Sequence, residues 1–290
     1  MAKTATDGFD QFLKRLTPTG AERTATASHR ASIKSKLESK YEIYRMFESG
    51  SFAHGTGVRG HSDVDYFVSL KSTYPAYSSS ILTSFRSTLL ERFPTTNVHV
   101  SKPAVVLDFG AGYERVEVIP AYANEKANGE HMRFRIPGLT GEWMWSAPEA
   151  HLAYVNKING RAGIYRGAKS LARMAKAWKY IRNVPISSFY LEMRAAAYMD
   201  SQTSISWPYD ISIFFNQLLD GGLAAMNDPT GSTGRIEPCS SAANHTDALS
   251  KLKTASTRAS NAVYYVKKED LKSAFEQWGL LWGGNFPAYF

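Results

Sequence analysis

The chain has 290 residues, and 34 Lys and Arg against 26 Asp and Glu give a net charge of +8 with His neutral. At about 150 residues per domain this is one large domain or two closely joined lobes, and 43% hydrophobic with 21% charged residues excludes a mainly disordered chain. The single cysteine, Cys239, excludes an internal disulfide and a Cys-rich zinc module. Neither a signal-like apolar run at the start nor about 18 consecutive apolar residues elsewhere is present, so a cytoplasmic protein without membrane contact is expected. The positive charge suits anionic partners, either nucleic acid or nucleoside triphosphates, and does not choose between them.

In chain order, residues 1–27 read as a polar, Thr- and Ala-rich N-terminal segment with one amphipathic piece, Phe9 to Leu16. From Ser28 to Phe47, apolar residues at Ile33, Leu37, Tyr41 and Tyr44 have helical spacing. A Gly-dense turn then leads to a β-rich run, Val64–Leu70. Further strands are predicted at Val98–Val100, Ala104–Phe109 and Arg115–Ile119, the last two joined as a hairpin. After Pro148 the pattern becomes helical, with helices predicted at 150–158, 168–182, 188–199, 210–223, 246–267 and 268–280. A small mixed sheet followed by a helical half places a ligand site in the cleft between them.

The stretch from Gly50 to Val68 carries the chemistry. A helix is expected to end at Gly50, and Ser51 offers a hydroxyl and a backbone N–H to an anion. Glycines at 50, 55, 57 and 60 allow close backbone approach to a phosphate. Asp63 and Asp65 lie two apart entering a strand, which puts both carboxylates on one face. Two aligned carboxylates repel unless a cation lies between them, and Mg²⁺ is the hard cation held by such pairs together with substrate phosphates. An aspartate pair alone also suits a surface loop with capping aspartates. A two-metal site asks for another acid on a neighbouring strand. Glu117, flanked by Val116 and Val118, is favoured because an acid between apolar neighbours needs a compensating partner. Asp108 is the competing candidate.

Gly50-Ser51-x-x-x-Gly55-Thr56 followed by Ser62-Asp63-x-Asp65 resembles the fingerprint of the polymerase-β-like nucleotidyltransferases. More narrowly, the chain resembles the CD-NTases, bacterial relatives of cyclic GMP–AMP synthase and oligoadenylate synthase. Glu117-Val-Ile-Pro-Ala is similar to the strand bearing their third metal-binding acid, where the family usually has Asp. In the helical half, residues 143–148 with His151 and Asn156 resemble the linker into the family's helical lobe. The run from Leu171 to Trp178 resembles the helix whose lysine, here Lys176, contacts phosphate. The run from Ile186 to Glu192 resembles the segment whose serine, here Ser188, touches the donor triphosphate and whose aromatic, here Phe189, stacks on its base. Asn227-Asp228-Pro229 and the closing Trp282-Gly283-Gly284-x-Phe286-Pro287 recur as well, so the likeness spans residues 28–290.

This resemblance implies an α+β fold: a polymerase-β-like nucleotidyltransferase core of mixed sheet and helices, with a C-terminal helical lobe. The expected division is 1–27, a catalytic core with a spine helix at 28–148, and a helical lobe at 149–290. A ribose hydroxyl would attack the α-phosphate of a nucleoside triphosphate and release pyrophosphate. Asp63, Asp65 and Glu117 would hold two Mg²⁺ ions, or Mn²⁺, with Glu117 placed to accept the hydroxyl proton. Gly50, Ser51 and Thr56 would grip phosphates with Lys176 and Ser188, and the loop histidines His54 and His61 would lie near nucleotide. The product would be a cyclic di- or oligonucleotide messenger in antiphage defence (CBASS), read by a separate effector protein. Alternatives are transfer to another acceptor (an RNA 3′ end, a drug or a protein) and an RNA-sensing module with weak catalysis. Lys34, Lys36 and Lys40, with Lys251, Lys253 and Arg258, suit either solvated helix faces or a surface for an RNA activator.

Overall fold

A computed structural model describes residues 2–61, 63–110, 114–127, 130–139 and 141–290, with backbone alone at 21–28 and 124–127. In chain order the first elements are α1 (Ala5–Leu16), α2 (Gly20–Glu38), β1 (Ile43–Ser49), α3 (Gly50–His54), β2 (Val64–Leu70) and α4 (Ser78–Arg92). Next come β3 (Asn97–Ser101), β4 (Ala104–Phe109), β5 (Glu114–Ala127), β6 (His131–Pro137), β7 (Trp143–Ser146) and α5 (Pro148–Asn159). The remainder is α6 (Gly167–Ile181), α7 (Ser188–Asp200), α8 (Trp207–Asp220), β8 (Met226–Asn227), β9 (Arg235–Ile236), α9 (Ala242–Lys267) and α10 (Leu271–Leu281). No helix among the described residues is long and apolar enough to cross a membrane.

The chain divides into two compact units: residues 18–154 with 230–234, and residues 1–17 with 155–229 and 235–290. The first unit holds a seven-stranded mixed sheet in the order β1-β2-β5-β4-β3, extended by β6 on β5 and β7 on β6. β2 and β5 run parallel, and the other pairs are antiparallel. Strand alternation sorts the side chains between two faces. Val64, Tyr66, Val68, Val105, Leu107, Val116 and Val118 pack with Ile33 and Leu37 of α2 and with Phe85 and Leu89 of α4. Burying each such side chain stabilises the fold by about 2 kcal/mol. At one end of the opposite face, Phe67, Ala104, Ile119, Ala121, Phe134 and Ile136 form a smaller cluster. Asp65 and Glu117 alternate with the first set and so belong to this second face.

The other unit is mainly helical. Trp178, Trp278 and Trp282 are fully buried in it. Phe9 and Phe12 of α1 add to this aromatic cluster, with Phe9 edge-on to Trp278 at 4.9 Å and Phe12 at 4.6 Å from Trp282. The Trp282 indole N–H donates to the Met174 carbonyl.

The structure departs from the sequence reading at the N-terminal end. Residues 1–27 are not a separate polar segment: α1 buries its aromatic stripe in the helical unit, and α2 begins at Gly20. The helical spacing through Tyr41 and Tyr44 also misleads. α2 stops at Glu38, and Tyr44 stands 69% exposed on β1. Pairing of β1 with β2 overrides a local pattern compatible with helix. For the same reason Gly50 does not end a helix; it follows a strand and opens α3. β1, β6, β7 and α4 were not anticipated. The predicted runs at Val64–Leu70 and Ala104–Phe109 coincide with β2 and β4, and the six later helices fall at α5 to α10 within a few residues. Of the expected hairpin, β4 and β5 pair through Phe109 and Glu114, and residues 111–113 lie outside the described residues.

Candidate active site

The acids converge on the second face of the sheet. Asp65 and Glu117 are register partners on the parallel strands β2 and β5. Asp63 stands just before β2, and Ser62 of the same motif lies outside the described residues. Arg115, two residues before Glu117 and hence on its face, ties the acids together. Its Nη2 donates to Glu117 Oε1 at 3.0 Å and its Nε at 3.2 Å, while Nε lies 3.5 Å from Asp63 Oδ2. Burial works against the charge on Arg115, but Glu117, Asp63 and Asp108 outweigh it and hold the guanidinium above its ordinary range. Glu117 is largely covered, with 19% of its side chain exposed.

Asp108 lies farther from Asp65. It is the register partner of Arg115 on β4, whereas Val106 is the partner of Glu117. Its Oδ2 accepts from Asn97 Nδ2 at 2.8 Å and lies 3.6 Å from His99 Nδ1, both on β3. The register therefore puts Glu117 beside Asp65, with Asp108 one strand farther away on the same face and bonded to Asn97 of β3.

The turn before β2 is built around this pair. Gly50 has φ +63°, a left-handed value that disfavours any Cβ. A Cβ there would overlap Asp65 Oδ2 and lie 2.6 Å from its Cγ, so the carboxylate fills the space that the missing side chain leaves. α3 ends at Gly55 (φ +68°), and the Thr56 N–H donates to the Ser51 carbonyl at 3.0 Å. Thr56 and His54 are buried, which gives Thr56 a place in closing the turn, whereas Ser51 is partly exposed.

In the helical unit the sequence-derived candidates fare differently. Lys176 is not a solvated lysine: it is 2% exposed and donates to Glu192 Oε2 at 2.5 Å, both side chains being buried. The cation beside Ser188 is Lys179, whose Nζ donates to Ser188 Oγ at 2.6 Å, with Tyr180 Oη 3.3 Å from the same oxygen. Ser187, not Ser188, caps α7, accepting from the Tyr190 N–H. Phe189 is 36% exposed rather than core. Arg115 and Lys179 were missed. The signal for Arg115 was present, because strand period two aligns it with Glu117. Lys179 is separated from Ser188 by a turn that spacing alone does not measure.

The expected basic surface is partly neutralised. Lys34 lies 3.5 Å from Glu38, Lys36 bonds Glu91 at 2.8 Å, and Lys251 bonds Asp247 at 2.7 Å. Arg258 donates to the Leu280 carbonyl. The first two lysines belong to the sheet unit and the last two cations to the helical unit.

Residues 3–159 match the family of the Second Messenger Oligonucleotide or Dinucleotide Synthetase domain. The chain belongs to this family. Among curated proteins it is 26% identical over 171 residues to a CBASS oligonucleotide cyclase, CdnC, of Escherichia coli (strain KTE188), covering 55% of this chain and 52% of that one. It is 27% identical over 191 residues to a cyclic AMP-AMP-AMP synthase of E. coli (strain MS 115-1), covering 62% and 58%. The matched stretch thus spans little more than half the length of these relatives. Among solved structures, E. coli MS115-1 CdnC with ATP superposes with a TM-score of 0.76 at 18% identity, covering 97% of this chain and 98% of that one. The di-nucleotide cyclase of Vibrio cholerae with ATP and GTP gives 0.64 at 15%, covering 98% and 82%. The fold is therefore that of the CD-NTases, α+β with a helical C-terminal part.

The donor set fits a hard divalent cation: three carboxylates, one seated over Gly50 and two sharing a guanidinium. Among the described residues no three acidic, His or Cys side chains close into a metal cage, and here Arg115 supplies the positive charge that Asp63 and Glu117 require.

Proposed function

We propose that the chain is a metal-dependent nucleotidyltransferase that joins nucleoside triphosphates into a cyclic oligonucleotide in CBASS-type signalling. The observation that supports this best is the Asp65–Glu117 register pair on adjacent parallel strands, with Asp63 drawn to the same arginine as Glu117. The names of the relatives, an oligonucleotide cyclase and a cyclic AMP-AMP-AMP synthase, point the same way.

Asp63, Asp65 and Glu117 would hold Mg²⁺, or Mn²⁺ in its place. When bound, such ions increase the nucleophilicity of an attacking hydroxyl and offset charge on a leaving pyrophosphate. The chain's own contribution is positional. A ribose hydroxyl forms the new bond to the α-phosphorus, the bond to the bridging oxygen of the β-phosphate breaks, and pyrophosphate leaves. Glu117 accepts the hydroxyl proton. Asp65, held at Gly50, keeps the carboxylate face aligned, and Ser51 offers its hydroxyl to donor phosphate. Lys179 and Ser188 present an ammonium and a hydroxyl suited to phosphate oxygens, and Phe189 an exposed ring suited to a base. A separate effector protein would read the released product.

The test is incubation of purified protein with labelled triphosphates and Mg²⁺ or Mn²⁺, with products resolved by mass and phosphatase resistance. Phosphatase-resistant cyclic product from triphosphates alone supports the reading. Transfer of single nucleotides only to an added RNA or other acceptor replaces it.

A further inference from the structure

The arginine at the centre of the acid cluster is unexpected. A site built to concentrate negative charge contains its own cation, on the strand that carries Glu117. Three observations bear on its role. The guanidinium touches two of the three acids, Glu117 through two nitrogens and Asp63 through one. It lies next to Asp108 in register, so it stands amid acids on three strands or strand ends. Its side chain is 35% exposed and Asp63 is 44% exposed, so it can leave the cluster without disturbing the core.

A carboxylate cluster without a counter-ion is costly, because like charges a few ångströms apart in a partly buried site repel strongly. Salt from solution relieves this poorly where the groups are covered. A tethered guanidinium relieves it at high effective concentration. The same tether makes it a competitor for any other cation. A divalent ion engaging Asp63 and Glu117 must displace the bonds now made by Arg115, and its apparent affinity falls by the population that the arginine holds. Resting on the metal-dependent reading above, we propose that Arg115 is an internal counter-cation of the metal-free enzyme. It occupies the acid cluster until divalent metal displaces it, and so sets the metal concentration at which the site loads. Register already pairs Asp65 with Glu117, and release of Arg115 leaves Asp63 and Glu117 to close on the ion.

The test is Mn²⁺ binding measured by electron paramagnetic resonance, without and with a non-hydrolysable triphosphate, in wild type, Arg115→Gln and Arg115→Lys. Thermal unfolding in chelator is measured alongside. Arg115→Gln should bind Mn²⁺ about tenfold more tightly, equivalent to about 1.4 kcal/mol, and should melt at lower temperature when metal-free. Added Mn²⁺ should restore more of its melting temperature than it adds to wild type. Arg115→Lys keeps the charge without the fork, so it should fall between the two. If Arg115→Gln does not fold, the Lys variant carries the comparison, with affinity tighter than wild type. Mn²⁺ affinity in the variants equal to or weaker than wild type overturns the proposal and leaves the metal-dependent reading in place. Absence of Mn²⁺ binding in every protein, with and without nucleotide, overturns both.

Discussion

Gly50→Ala isolates the link between backbone geometry and chemistry. The substitution has two consequences of different kind. Alanine at φ +63° is disfavoured by about 1–2 kcal/mol, and for a chain of this size each kcal/mol lowers Tm by about 1.5–2 °C. The new methyl also meets the Asp65 carboxylate, whose Cγ would be only 2.6 Å away. Real contacts of a Cβ begin near 3.0 Å, so the nearer oxygen must retreat by about 1 Å or more. A displacement of that size at a reacting group costs about 10²-fold in rate. The expected result is a folded protein with a modestly lower Tm and product formation reduced by about 10²-fold. Calorimetry and a product assay by mass measure the two effects separately. Activity within a few-fold of wild type would refute the reasoning, since Asp65 would then not need its present position. Loss of activity only in proportion to loss of folded protein would refute it equally.

Asp63→Asn combined with Asp65→Asn should abolish product formation while circular dichroism shows a folded chain. Glu117→Gln should be nearly as damaging, whereas Asp108→Asn should cost only a few-fold in product formation, because that acid lies a strand farther from Asp65 and accepts from Asn97; the reverse order would assign the third acid to Asp108. Lys176→Met removes the ammonium bonded to the buried Glu192 carboxylate and should destabilise the fold by about 3 kcal/mol, read by denaturant unfolding. Adding Glu192→Leu should recover much of that loss, and an unaltered unfolding midpoint in the single variant would contradict the buried pair. Lys179→Ala should weaken triphosphate binding with little effect on unfolding, because Lys to Ala costs a helix nothing in propensity; unchanged affinity in a binding titration would remove Lys179 from nucleotide recognition.

Local sequence determined a good deal. Period-two alternation in Val64–Leu70 and Arg115–Ile119 places Asp65 and Glu117 away from the apolar core, and glycines spaced through residues 50–60 mark a turn whose backbone can take left-handed conformations, as Gly50, Gly55 and Gly60 do. The later helices were legible because apolar spacing within one helix depends only on residues three and four apart. Tertiary structure decided whatever depends on which segments meet. Tyr41 and Tyr44 continue a helical spacing, yet strand pairing takes the chain from Ile43 into the sheet. Lys176 and Lys179 are three residues apart on α6, and packing against α7 buries one on Glu192 while it sets the other on Ser188. The choice between Glu117 and Asp108 turned on strand order and register, with β5 between β2 and β4, so that one acid faces Asp65 and the other faces β3. Register is a property of paired strands, and no single strand's sequence contains it.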